Sequence, residues 1–148
     1  MPIFERASAS DIPELSELLS VLFAQESEFK PDVAAQVKAL TSIIRNSDLG
    51  AILVAWEDGK ILAMVNLLFT VSTALGERVA LLEDMVVSPS ARGSGTGSDL
   101  LSYAMNFARL HGVKRITLLT DRDNTSAQRF YIKHGFSEST MVPFRKIL

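Results

Sequence analysis

Apolar residues recur at helical spacing twice in the first third of the chain, then change period. In "IPELSELLSVLFAQ" the leucines Leu15, Leu18, Leu19 and Leu22 fall on one helical face. Asp11 stands just before this run, and Pro13 suits a first helical turn. "DVAAQVKALTSIIRN" predicts a second helix with Val33, Val37, Leu40 and Ile44 on one face, ended by Asn46 and Gly50. The pattern then becomes that of strands. "AILVAWE" and "KILAMVNLLFTV" are separated by Asp58-Gly59, a two-residue hairpin signal, because both turn positions need positive φ. "STALGE" predicts a looser turn, and "RVALLEDMVV" a third strand that completes an antiparallel meander.

Ser88-Pro89 closes that strand. A glycine-rich stretch and a helix follow, with Leu100, Ala104, Phe107, Ala108 and His111 on one face and Gly112 as the left-handed terminator. "VKRITLLT" reads as a strand, so strand, helix and strand make a parallel βαβ unit. "NTSAQRFYIKHG" reads as a short helix from an Asn124 cap to Gly135, and "FSESTMVPFRKIL" as a weak final strand. The predicted order is ααβββαβαβ, an α+β domain with a mixed sheet. No repeat or linker interrupts it, so residues 1–148 are read as one domain.

Composition narrows the chemistry. The chain has no cysteine, which excludes disulfides, a cysteine nucleophile and thiolate metal sites, and makes a reducing cytoplasm the simplest compartment. The formal net charge is −2 and the basic residues are scattered, so binding to a nucleic-acid backbone is not expected. No apolar run approaches the ~18 residues of a membrane span, and the N-terminus has no signal-peptide core. His111 and His134 are isolated and read as helix-end residues, not a metal site. Asp121, Asp123 and Asn124 lack the glycine and terminal glutamate of a calcium loop.

The chemistry concentrates in "ARGSGTGSDLL", Ala91 to Leu101. It lies between a strand end and a helix start, where backbone N–H groups have no partners inside the helix and the dipole favours an anion. Glycines permit close approach, and Arg92 adds a fixed positive charge. A P-loop fails here, because Ser98 stands where its second glycine belongs and no lysine follows. A Rossmann fingerprint fails at Ser98 or Leu100, and the preceding antiparallel strands are the wrong context.

The remaining pattern, R-x-x-G-x-G at a helix start, resembles the acetyl-coenzyme A signature of the GNAT superfamily of N-acetyltransferases. The upstream "LLEDMVV" with "SPSARG", and the downstream "DRDNTSAQRFYIKHGF", resemble its neighbouring blocks in order and spacing over Leu81 to Phe136. Ser94 replaces a common basic residue, Thr96 a common aliphatic, and Asp99 places a carboxylate in the first turn. The resemblance implies acetyl-coenzyme A as cosubstrate. Its pyrophosphate would lie on Arg92, Gly93, Ser94, Gly95, Thr96, Gly97 and Ser98, and its pantetheine arm would lie between splayed strands against Met85, Val86 and Val87. Asn124 would contact that arm or serve only as a helix cap; Arg129 or Lys133 would reach phosphate or be merely solvated. A homodimer is also implied by family habit, without a specified interface.

Acetyl transfer to an amine needs a proton acceptor, since a lysine-like amine has a pKa near ~10.4, and a proton for a thiolate leaving group of pKa ~8.5. Glu83, set among apolar residues, is the candidate base; the alternative is a solvent-facing strand carboxylate. Strand alternation sends Asp84 to the opposite face unless a bulge intervenes. The resemblance implies such a bulge. Tyr131 is the candidate acid, or a core residue packed with Ala127, Phe130 and His134. The segment "FAQESEFKPD", with Glu26 and Glu28, would line the acceptor cleft, as in the family. The expected activity is transfer of acetyl from acetyl-coenzyme A to a primary amine of a small molecule or peptide; the alternative is a non-catalytic acyl-coenzyme A sensor of the same fold.

Overall fold

A computed structural model describes residues 1–26 and 30–148. Five strands form one mixed sheet in the order β1-β2-β3-β4-β5: β1 (Ile3–Arg6), β2 (Gly50–Glu57), β3 (Lys60–Ser72), β4 (Glu77–Val87) and β5 (Ile116–Leu118). The first four are antiparallel neighbours; β5 runs parallel to β4. The α-helices are α1 (Ile12–Gln25), α2 (Val33–Arg45), α3 (Thr96–Leu110) and α4 (Thr125–Lys133).

Side-chain alternation divides the core into two layers. On one face Leu53, Ala63, Val65, Leu67 and Leu82 pack under Leu100, Leu101, Ala104 and Ala108 of α3. On the other, Ile52, Val54, Met64 and Val86 pack under Leu15, Leu18 and Leu19 of α1 and Leu40 and Ile43 of α2. The hairpin turn takes the expected form, with Asp58 at φ 51° and Gly59 at φ 74°.

The α+β class, the meander and the parallel unit are as the pattern predicts, with three differences. β1 precedes the helices: it is four residues long and Ile3 is exposed, so it buries too little to leave a periodic signal. Residues 137–148 form no strand, and Met141, Val142, Phe144 and Ile147 are exposed; strand propensity without a ladder partner does not make a strand. On α2 the buried face is Gln36, Leu40 and Ile43, while Val33 is exposed. A glutamine serves there because its Nε2 donates to Ser16 O and Oγ (both 3.0 Å) and to Ser20 Oγ (3.1 Å), and its Oε1 accepts from Asp32 N (2.9 Å).

Candidate functional site

β4 positions the site, and its two halves differ. Ala80–Leu82 is paired on both sides, with β3 and with β5. From Glu83 to Val87 the pairing with β5 has ended, so that edge of β4 is unpaired. Ser88 N–H donates to Leu62 O (2.7 Å) on the β3 side, so the Val87 N–H, one residue earlier, points to the open side. The Val87 carbonyl accepts from Arg92 Nε (3.2 Å), which holds the arginine at the mouth of the gap.

The same stretch carries a bulge. Asn66 pairs with Glu83 and Met64 with Val86, so β4 spends one more residue than β3 between those pairs. Asp84 absorbs it at φ 55°, a left-handed conformation that aspartate tolerates better than most residues. This changes the faces. Asn66 lies between Met64 and Leu68 on the α1/α2 side, and Glu83 opposes it there. Regular alternation would send Asp84 to the α3 side; instead its carboxylate accepts from Asn66 Nδ2 (3.3 Å). The bulge therefore brings both carboxylates to one face.

Electrostatics follow from this crowding. Glu83 is exposed, yet partial burial of its carboxyl lifts it above the usual range; the charge of Asp84 lifts it further, and the Arg145 guanidinium opposes both. Burial also raises Asp84, against the hydrogen bond from Asn66. Tyr131 stacks edge-on with Phe130 and Phe136, and burial pushes its phenol up to about 12. Its hydroxyl makes no hydrogen bond among the described residues, while Ala127, Phe130 and His134 share its half-buried face as the spacing predicts.

At the glycine-rich stretch, Gly93 (φ 80°) and Gly95 (φ 85°) are both left-handed, and a Cβ at either would meet nothing within 4 Å. Conformation, not space, requires glycine there. Gly97 is the reverse case: its Cβ would lie 3.1 Å from Val87 Cγ2, so glycine lets α3 sit close on the end of β4. Gly95 caps α3 and has no side chain to cover the first-turn N–H groups. Ser94 Oγ turns inward to Ala91 O (2.5 Å) and Thr96 Oγ1 (2.9 Å), shaping the loop. Ser98 Oγ meets His134 Nε2 (2.7 Å), tying the first turn of α3 to the end of α4. Asp99 lines a shallow cavity with Phe4, Leu62 and Ser90, on the β1 side of the loop.

Glu83, Met85 and Val87 lie on the unpaired stretch of β4, with Arg92 at its end; Val86 is buried under α1 and α2, Ser94 and Thr96 line the β1-side cavity with Asp99, and Ser98 faces α4. Asn124 caps α4, its Oδ1 accepting from Ala127 N (3.1 Å). Arg129 and Lys133 are exposed. His111 stands at the end of α3, stacked on Phe107 at 3.9 Å. Glu28 lies outside the described residues. No group of three or more metal-ligating side chains occurs among the described residues, and no helix there is long and apolar enough to cross a membrane. Sequence reading missed Asn66, a lone amide in an apolar strand whose only signal was being polar in "AMVNLLF".

The chain belongs to the acetyltransferase (GNAT) family, whose model matches residues 13–136. It is 33% identical over 125 residues to the uncharacterized N-acetyltransferase YhfO of Bacillus subtilis (strain 168), covering 82% of this chain and 83% of that one. It is 29% identical over 85 residues to the aminoalkylphosphonate N-acetyltransferase of Salmonella typhimurium, covering 57% of this chain and 55% of the relative. The fold superposes on the crystal structure of a possible acetyltransferase from Clostridium difficile 630 with a TM-score of 0.91 at 14% identity, over 100% and 98% of the two chains.

Proposed function

We propose that the chain is an acetyl-coenzyme A dependent N-acetyltransferase whose amine acceptor attacks directly in a ternary complex. The observation that carries this reading is the coincidence of two openings: the unpaired edge of β4 from Glu83 to Val87, and the glycine-capped start of α3 beside it. Acetyl-coenzyme A fits that pair, because its pyrophosphate suits the N–H groups of Gly93 to Ser98 with Arg92, and its amide-bearing arm suits a free strand edge at Met85 to Val87. When bound, it supplies an acetyl thioester. Asn124 lies at the head of α4, where its Nδ2 stays available to the arm while Oδ1 caps the helix.

The chain's own groups then divide the proton work. Glu83, with its raised proton affinity, accepts the proton that the amine must lose. Tyr131 keeps its proton across the physiological range and can give it to the departing sulfur. In this reading the Val87 N–H, pointing to the open side, is the donor for negative charge on the acetyl oxygen. The cysteine-free composition supports a cytoplasmic setting, and family habit supports a homodimer.

The name of the Salmonella relative supports small aminoalkyl compounds as first acceptors to try. Release of free thiol from acetyl-coenzyme A across an amine panel, aminoalkylphosphonates included, tests the reading. Glu83→Gln is expected to lower kcat on the order of a hundredfold and to remove the acidic limb of the pH–rate profile. That limb should lie above the ordinary carboxylate range, activity rising as Glu83 loses its proton. Cofactor binding with no turnover on any amine would leave the sensor reading instead.

A further inference from the structure

We propose that residues 137–148 and the free edge of β5 form a docking surface for a second copy of this chain, each copy laying its segment along the β5 of the other. The surface is independent of the acetyltransferase chemistry. The segment is the anomaly that leads to it. Met141, Val142, Phe144 and Ile147 are all exposed, Phe144 at 96% and Met141 at 82%. Among the described residues, the backbone from 137 to 144 makes a single hydrogen bond, from Met141 N to Ser139 Oγ (3.0 Å). Exposed apolar side chains scattered singly need no explanation, but a cluster of them on one unladdered segment marks an interaction surface.

The two edges of the sheet differ in the same sense. β1, at one edge, carries Glu5 and Arg6, and charged side chains guard an edge against another strand. β5, at the other, is Ile116, Thr117 and Leu118, with no charge. It pairs with β4 alone, so the N–H and C=O groups along its far side have no ladder partner among the described residues. Leu119, the next residue, is 61% exposed. The edge lacks a strand and the segment lacks a ladder, yet the chain does not join its own two parts.

A second copy supplies each part with what it lacks. Related by a two-fold axis, two copies use the same pair of surfaces in both directions, and both β5 edges are filled at once. Covering these apolar side chains on both copies buries on the order of 1,500 Å2, the area of a standard stable interface. Pro143 suits the added strand as an outermost one, because it has no N–H to offer a further neighbour. Assembly therefore stops at two. An unrelated protein would need both a matching segment and a matching edge, whereas a second copy carries both by being identical.

The test is sedimentation velocity on the full chain over a concentration series, paired with amide hydrogen exchange. The wild type is expected to sediment as two copies, with a dissociation constant in the micromolar range or tighter. The amides of β5 and of residues 140–147 should gain protection as the dimer fills. Met141→Glu combined with Phe144→Glu should weaken association at least about a hundredfold, by setting charge in an apolar contact, and should release the same amides. Both side chains are exposed in the single chain, so its circular dichroism should not change. Leu119→Lys, on the other surface, should weaken association at least about ten-fold. A wild type that sediments as one copy at every concentration, a dimer that survives the double variant, or protection of residues 140–147 in a one-copy particle overturns the surface. A dimer lost in the double variant, in a chain that acetylates no amine, leaves the surface standing and removes only the acetyltransferase reading.

Discussion

Three helices of this chain begin in two different ways. α2 and α4 supply their own caps: Asp32 Oδ1 accepts from Ala35 N and Asn124 Oδ1 from Ala127 N, each at 3.1 Å. α3 begins at Gly95, left-handed at φ 85°, with no side chain to do the same. A side-chain cap typically contributes ~1 kcal/mol over alanine, so α3 forgoes a stabilisation that its neighbours use. It does so beside the one stretch of β4 that β5 leaves open, with Arg92 pinned at the same mouth. α1 also starts without a side-chain cap bond, at Asp11, so a bare start alone marks no ligand site. Under the proposed function, the α3 start keeps its N–H groups for the cofactor.

The comparison can be broken by making the two kinds of terminus behave alike. The largest effect is expected from Gly95→Val. It forces an L-residue into a left-handed position at a cost of ~1–2 kcal/mol and places a side chain in the open loop. The loss of one or two charge-assisted N–H contacts should weaken acetyl-coenzyme A binding by roughly ten- to a hundredfold in calorimetry. Affinity unchanged from wild type would mean that the α3 start is no more a binding terminus than the others.

Asn124 sharpens the contrast, because its cap can be separated from any contact with the ligand. Asn124→Ala removes the acceptor and should cost about 1 kcal/mol in denaturant unfolding. Asn124→Asp keeps an oxygen for Ala127 N–H and should retain that stability, while a loss of acetyl-coenzyme A affinity of a few-fold would report the missing Nδ2. The smallest functional effect is expected at Asp32→Ala. It should cost about 1 kcal/mol of stability and leave cofactor affinity and turnover where they were.

Much of this was legible in the sequence, for physical reasons that differ by element. α1, the Asp58-Gly59 hairpin and the Gly112 and Gly135 terminators were readable because each rests on a local rule of spacing or positive φ. The α3 start was readable because the glycines and Arg92 are adjacent in the chain. What escaped depends on partners distant in sequence. β1 exists because β2 offers it an edge, and residues 137–148 lack a strand for want of such a partner. The bulge that sets Asp84 beside Glu83 was implied by the resemblance, but Asn66 meets Asp84 from another strand, eighteen residues away in the chain. Alternation within one strand cannot show that meeting.

If the proposed function holds, the first-turn N–H groups of α3 are kept for the cofactor. A 1H–15N titration with acetyl-coenzyme A tests it residue by residue. The amides of Gly93 to Ser98 are expected to move strongly as the ligand saturates, while those of Val33 to Ala35, at the self-capped start of α2, stay in place. Saturable binding that leaves Gly93 to Ser98 unmoved would contradict it.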